Sequence, residues 1–181
     1  GELVRKIDHG GPVTTAAVRP DGKSCATAGS NGVVRLWNLA DGRLLTAPLM
    51  HGGQVHHVAF SSTGRELLTT AQDNGAHLWD VATGRGIGKP WLHEGSVVFG
   101  TFSPDDERIV TTSMDNSARL WNARDGKPVC QPLRQLESIQ HASFSPDGKL
   151  LVTSATDSMA QIWKVQPRKM QSGEMHQKRP I

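Results

Sequence analysis

The chain has 181 residues, 36% of them hydrophobic, and a formal charge of +3, so its length suits one ordinary domain with a sizeable core. No run approaches the roughly 18–20 apolar residues that span a bilayer, so a membrane partner is not expected. From residue 164 onward Lys164, Arg168, Lys169, Lys178 and Arg179 stand against Glu174 alone, which puts +4 on that end and leaves −1 on the rest. The alkaline pI of about 9.1 is therefore a property of the end, and the body carries no electrostatic footprint for nucleic acid.

In chain order, residues 1–7 come first and align with a later segment that ends at Leu49. The run VTTAAV at 13–18 is short and apolar-rich, stops at a Pro-Asp-Gly cluster, and predicts a strand. A second strand is predicted through Thr27, followed by a tight turn containing Asn31 and a third strand ending at Trp37. A turn at Asp41-Gly42 then leads to a fourth segment carrying Pro48, and proline restricts a strand to a free sheet edge. The same order of elements then recurs. Trp37, Trp79, Trp121 and Trp163 are spaced by a constant 42 residues, and Thr27, Thr69, Thr111 and Thr153 precede them by ten. Asn31, Asp73, Asp115 and Asp157 stand six before each tryptophan, and His9, His51, His93 and Gln135 stand 28 before. A fixed period near 40–45 residues marks a repeat architecture, and four short antiparallel strands per period are one blade of a β-propeller.

These residues resemble the WD-repeat family, with Trp79-Asp80 as the most faithful ending of the four. The fold class expected is therefore all-β, a β-propeller of four-stranded blades with four blades per chain. The units read as 8–49, 50–91, 92–133 and 134–164, preceded by an outer strand at 1–7 and followed by a basic, disordered tail at 165–181. The resemblance implies that the His, Thr, Asp and Trp of a blade form a hydrogen-bonded structural tetrad. Such a set suits a buried indole N–H, which needs an acceptor, and a hydroxyl, which accepts and donates. Repeats two and three have the full set, His51, Thr69, Asp73, Trp79 and His93, Thr111, Asp115, Trp121. Repeat one substitutes Asn31 for the acid and repeat four substitutes Gln135 for the histidine, so these two blades are expected to be the less stable.

Repetition argues against a catalytic reading, because chemistry needs one site and this pattern recurs in each blade. No phosphate loop or nucleophile elbow is present, and neither a cofactor nor a metal is expected. His56 and His57 are adjacent on a strand and point to opposite faces, so one metal could hardly use both. The acidic run Asp105-Asp106-Glu107 reads as a solvated turn. Cys25 and Cys130 fall in different repeats with no metal spacing, which points to buried or free thiols and, weakly, to a reducing, cytoplasmic location.

After Trp163 no Asp-Gly or Thr-Gly turn follows, so the fourth repeat lacks the signature of its own outer strand while residues 1–7 offer an extra one. Four blades are few for a WD-type ring. Three arrangements would cover the end blades: a longer propeller of which this is a segment, a head-to-tail homodimer forming an eight-bladed ring, or a closed four-bladed monomer. The resemblance also implies a docking face at the starts of the first strands and the turns before the tetrad acid. Here that face includes Pro12, Thr14, Ser30, Gln54, His56, Gln72, Ser96, Val98, Met114, Ser138, Gln140 and Thr156. Gln54, His56, Gln72, Val98, Met114 and Gln140 are its best candidates for protein or peptide contact. The expected function is a non-enzymatic interaction scaffold. The alternative is a regulatory or sensory propeller segment of a larger multidomain protein with catalysis elsewhere.

Overall fold

A computed structural model describes residues 1–165. The tail expected at 165–181 lies outside the described residues apart from Val165. The first blade consists of β1 (Val13–Val18), β2 (Ser24–Gly29), β3 (Val33–Asn38) and β4 (Leu49–Met50), hydrogen-bonded in that order. The second is β5 (Val55–Phe60), β6 (Glu66–Ala71), β7 (Gly75–Asp80) and β8 (Trp91–Leu92). The third is β9 (Val97–Phe102), β10 (Arg108–Ser113), β11 (Ser117–Asn122) and β12 (Leu133–Arg134). Among the described residues the fourth has three strands, β13 (Ile139–Phe144), β14 (Leu150–Ala155) and β15 (Ala160–Lys164). All neighbouring strands are antiparallel, and packing runs from β1 to β5 to β9 to β13 without returning to β1. The described residues thus form an open arc of propeller blades.

Turn chemistry sets the strand lengths. Between the second and third strands of the first three blades a three-residue loop ends in a left-handed residue: Gly32 (φ 75°), Asn74 (64°) and Asn116 (66°). In blade four the loop 156–159 is one residue longer and its third residue, Ser158 (66°), is left-handed. A type I turn closed by such a residue is a common three-residue hairpin. Asp106 is left-handed (φ 55°) where Gly22, Gly64 and Gly148 stand in the other blades. Its carboxylate recovers the cost by accepting the Ser62 amide at 2.9 Å and the Ser62 hydroxyl at 2.6 Å, tying blade three to blade two. The acidic run is therefore an inter-blade tie as well as a turn.

The outer strand differs from the sequence expectation. It is a dipeptide that follows the proline, while the segment carrying Pro48 touches its neighbour only through an isolated bridge, Trp37 to Leu44. Proline offers no N–H to the ladder, so pairing waits until the residues after it. Residues 1–7 likewise form no strand; they lie along blade one, where Arg5 Nη2 donates to the Ala40 carbonyl at 2.7 Å.

The core lies between sheets rather than within one. Leu36 and Val34 of blade one share a buried cluster with Val55, Val58 and Leu67 of blade two. Leu68 and Leu78 meet Val97, Phe102 and Ile109, and Val110 and Leu120 meet Ile139 and Leu151. The first residue of each outer dipeptide joins the cluster of the following blade, most visibly where Trp91 stacks on Trp121 with centroids 5.9 Å apart and planes 13° from parallel.

Candidate functional site

The polar residues of each repeat converge on one threonine. The hydroxyls of Thr27, Thr69, Thr111 and Thr153 accept the indole N–H of Trp37, Trp79, Trp121 and Trp163 at 2.8, 2.9, 2.8 and 2.9 Å. Each threonine stands on a second strand and each tryptophan on the third, two rungs apart in the same ladder, as with Thr111 opposite Arg119 and Ile109 opposite Trp121. In blade three the relay is complete. His93 Nδ1 lies 3.0 Å from Asp115 Oδ2 and Nε2 lies 2.8 Å from Thr111 Oγ1. A carboxylate only accepts, so Nδ1 carries the proton, Nε2 accepts the Thr111 hydroxyl, and that oxygen is left to accept the indole. Burial opposes ionisation of Asp115, but hydrogen bonds from Ser117 and the Glu94 amide and the neighbouring His93 hold its carboxyl below the usual range. Burial likewise lowers His93 despite Asp115.

Blade two, expected to match blade three, is wired differently. His51 Nε2 reaches Thr69 Oγ1 at 2.7 Å, but Asp73 Oδ2 is taken by His77 Nε2 at 3.1 Å, and His51 Nδ1 is buried without a partner. The cause is Gly75. A Cβ there would stand 2.7 Å from His77 Nε2 and 3.0 Å from Asp73 Oδ1. In blade three that place is filled by Ser117, whose hydroxyl bonds Asp115 Oδ1 at 2.6 Å, and Arg119 replaces His77. We expect the double variant Gly75→Ser, His77→Arg to return Asp73 to His51 and raise the His51 pKa, a change that NMR titration of the His51 ring would show. Blades one and four are also incomplete: His9 Nε2 and Asp157 Oδ2 are buried without partners, and Gln135 Oε1 accepts the Thr153 hydroxyl at 2.6 Å.

Burial first, and then the neighbouring His77, push the His51 pKa down to about 4 from 6.5. A lowered histidine pKa means that the fold binds the neutral ring. Its contribution is complete above pH 6.5 and is lost as pH falls from 6.5 toward 4, on the order of 3 kcal/mol. His51→Gln, which installs the blade-four side chain, is expected to flatten the stability profile in that window; urea unfolding at pH 7.5 and pH 4.5 measures it.

The proposed docking residues occupy a distinct structural feature. Register slips once in each first strand, between Val13 and Thr15, Val55 and His57, and Ile139 and His141, and β9 slips likewise opposite Thr112 and Ser113. Thr14, His56, Val98 and Gln140 are therefore the unpaired bulge residues, and a bulge re-aims its side chain away from the ladder. Thr14 Oγ1 donates to the Val55 carbonyl at 2.6 Å and His56 Nε2 lies 3.0 Å from Ser96 Oγ, linking successive blades along this face. His57 instead donates Nδ1–H to the Gly100 carbonyl and packs on Phe99, so the two adjacent histidines diverge. Burial lowers the His56 pKa from its ordinary value and so favours the neutral ring. The loops behind it are pinned by amides: Gln72 to the Gln54 carbonyl at 2.8 Å and Met114 to the Ser96 carbonyl at 3.0 Å. Leu136, absent from the sequence reading, is the most protruding apolar residue nearby, and the Asn116 amide holds its carbonyl at 3.1 Å. Among the described residues no three metal-ligating side chains converge, and no helix is long and apolar enough to cross a membrane.

The model of the WD domain, G-beta repeat, matches four times, over residues 1–38, 42–80, 92–122 and 130–164. The chain belongs to the WD40 repeat family. Among curated relatives, small ribosomal subunit protein RACK1 of Medicago sativa is 54% identical over 37 residues, 20% of this chain and 11% of that protein. RACK1z of Arabidopsis thaliana is 57% identical over 37 residues, with the same coverage. The aligned stretch thus spans about a tenth of those relatives. The crystal structure of the computationally designed Ika4 protein superposes with a TM-score of 0.82 at 17% identity, over 92% of this chain and 99% of that one, a likeness of fold alone.

Proposed function

We propose that this WD40 chain is a non-enzymatic scaffold that binds a protein or peptide on the face formed by its strand bulges. The observation that carries this reading is the neutral bulge row, Thr14, His56, Val98 and Gln140, set beside two exposed apolar side chains, Met114 (54%) and Leu136 (84%). Asn116 ties the Met114 turn to the Leu136 loop, so both anchors stand on restrained backbone, which lowers the ordering cost of binding. Gln54, Gln72 and Gln140, in or beside the bulged strands, add neutral donors and acceptors suited to peptide backbone. The units 8–49, 50–91, 92–133 and 134–164 are the proposed domain division, each carrying one threonine hub. The unpaired thiols Cys25 and Cys130 fit a reducing, cytoplasmic setting.

Binding should be tested with the chain immobilised and exposed to extract, with Met114→Asp and Leu136→Asp beside it. Retained proteins are expected to be lost from both variants, each at least tenfold weaker when measured on the purified partner. They should be kept by Lys127→Glu, which alters an exposed outer turn. Equal retention by all forms would remove this face from the proposal.

A further inference from the structure

Repeat one is the only one of the four with no carboxylate at the relay position, and the residue in its place can become one. Asn31 stands where Asp73, Asp115 and Asp157 stand in the other repeats, and the residue after it is Gly32. An asparagine side-chain amide is open to attack by the backbone nitrogen of the next residue. Glycine leaves that nitrogen least shielded, because it has no Cβ.

The turn brings the two groups together. Asn31 Oδ1 accepts the Val33 amide at 3.2 Å, which folds the side-chain carbonyl over the Gly32 peptide and draws electrons from Cγ. The Gly32 N–H donates to the Gly29 carbonyl at 3.2 Å, a long bond to a neutral acceptor. Glycine is required here, since at φ 75° a Cβ would stand 2.8 Å from the His51 carbonyl oxygen. Asn74-Gly75 is the other such pair in the chain, and it is held differently. The Gly75 amide donates to Asp73 Oδ1 at 3.0 Å, and a carboxylate opposes loss of that amide proton. Gly75 is also buried at the start of β7, paired with Leu92.

The receiving site is already arranged. A Cβ built on Gly29 would lie 2.7 Å from both Asn31 Oδ1 and His9 Nε2, so the two atoms border one small space. His9 Nδ1 lies 2.8 Å from Thr27 Oγ1, while Nε2 is buried without a partner. An aspartate at position 31 would accept the Nε2 proton and leave Nδ1 to accept the Thr27 hydroxyl. That is the blade-three relay with the ring nitrogens exchanged. Arg35 stands four residues after Asn31, as Arg119 stands after Asp115 with 3.9 Å between the charged groups.

We propose that Asn31 is a site of spontaneous deamidation whose aspartyl product completes the blade-one relay. Gly32 N attacks Asn31 Cγ and forms a new C–N bond. Its proton passes through water to Nδ2 as the Cγ–Nδ2 bond breaks, and ammonia leaves. Water then opens the five-membered imide. Attack at Cγ breaks the new bond and leaves an aspartate in a normal chain. Attack at the backbone carbonyl leaves an isoaspartyl link, which carries the chain through Cβ and lengthens the turn. The net change is one water consumed and one ammonia released, and the first product sets its carboxylate against His9.

The full chain should be held in mildly alkaline buffer and sampled by peptide mapping with mass spectrometry. Asn31 is expected to convert about tenfold faster than Asn74, and part of the product should be the aspartyl form. Asn31→Asp tests that product separately by NMR. Its His9 ring should titrate at a higher pH than in the wild type, because a carboxylate favours the imidazolium, and the ring nitrogen shifts should place the neutral proton on Nε2. Asn74 converting as fast as Asn31, or Asn31 staying intact while the unfolded chain converts, overturns the modification site. Isoaspartyl product alone, or an Asn31→Asp protein whose His9 titration and tautomer match the wild type, overturns the completed relay.

Discussion

Thr111→Val is expected to lower the unfolding free energy by about 2–4 kcal/mol, among the largest losses for any near-isosteric change in this chain. Thr111 is fully buried and its hydroxyl serves two partners, His93 Nε2 at 2.8 Å and the Trp121 N–H at 2.8 Å. Valine preserves the shape and removes both bonds, so an indole donor and an imidazole acceptor are left buried with no water to replace the oxygen. Each such orphan costs roughly 1–3 kcal/mol, while the methyl gained adds little at a site already packed. Thr111→Ser retains the oxygen and is expected to stay within about 1 kcal/mol of wild type. Denaturant unfolding followed by tryptophan fluorescence measures both. A Thr111→Val protein as stable as wild type would show that the relay contributes nothing to the fold.

Leu68→Ala is expected to cost about 2–5 kcal/mol by a different mechanism. Leu68 is fully buried between blades two and three, and its Cδ2 stands 3.0 Å from where a Gly100 Cβ would be, so the leucine occupies space that the facing strand has ceded to it. The alanine leaves a cavity that two stiff sheets cannot close. Leu45→Ala, on the outer rim and 43% exposed, is expected to stay within about 0.5 kcal/mol. Because blades are coupled only to their neighbours, Leu68→Ala should also separate the unfolding of the two halves of the arc, seen as a broadened transition. A sharp transition with an unchanged midpoint would contradict this account of the core.

Much of the candidate site was legible because it is periodic. Thr27, Thr69, Thr111 and Thr153 stand at one register of one strand, and a 42-residue spacing carries that register from blade to blade. What was not legible depends on space rather than spacing. His77 captures Asp73 because Gly75 leaves the volume that Ser117 fills in blade three. Its position four residues after the acid, shared with Arg35 and Arg119, was the available signal. Trp91 was off the tryptophan lattice but on another one with Leu49 and Leu133, whose apolar character could have marked it as core. Leu136 stands beside Gln135 and belongs to no apolar lattice, the equivalent places in blades one to three being Gly10, Gly52 and Glu94, so no periodic signal marked it.

By itself, then, the sequence determined the period, the blade as the unit, and the threonine and tryptophan of each hub, because strand alternation and turn chemistry act over a few residues and repeat unchanged. The tertiary structure alone decided which histidine holds Asp73, how short the outer strand is, and that the arc stays open between β13 and β1. Those outcomes turn on free volume and on the meeting of residues far apart in the chain, and a local pattern carries no record of either.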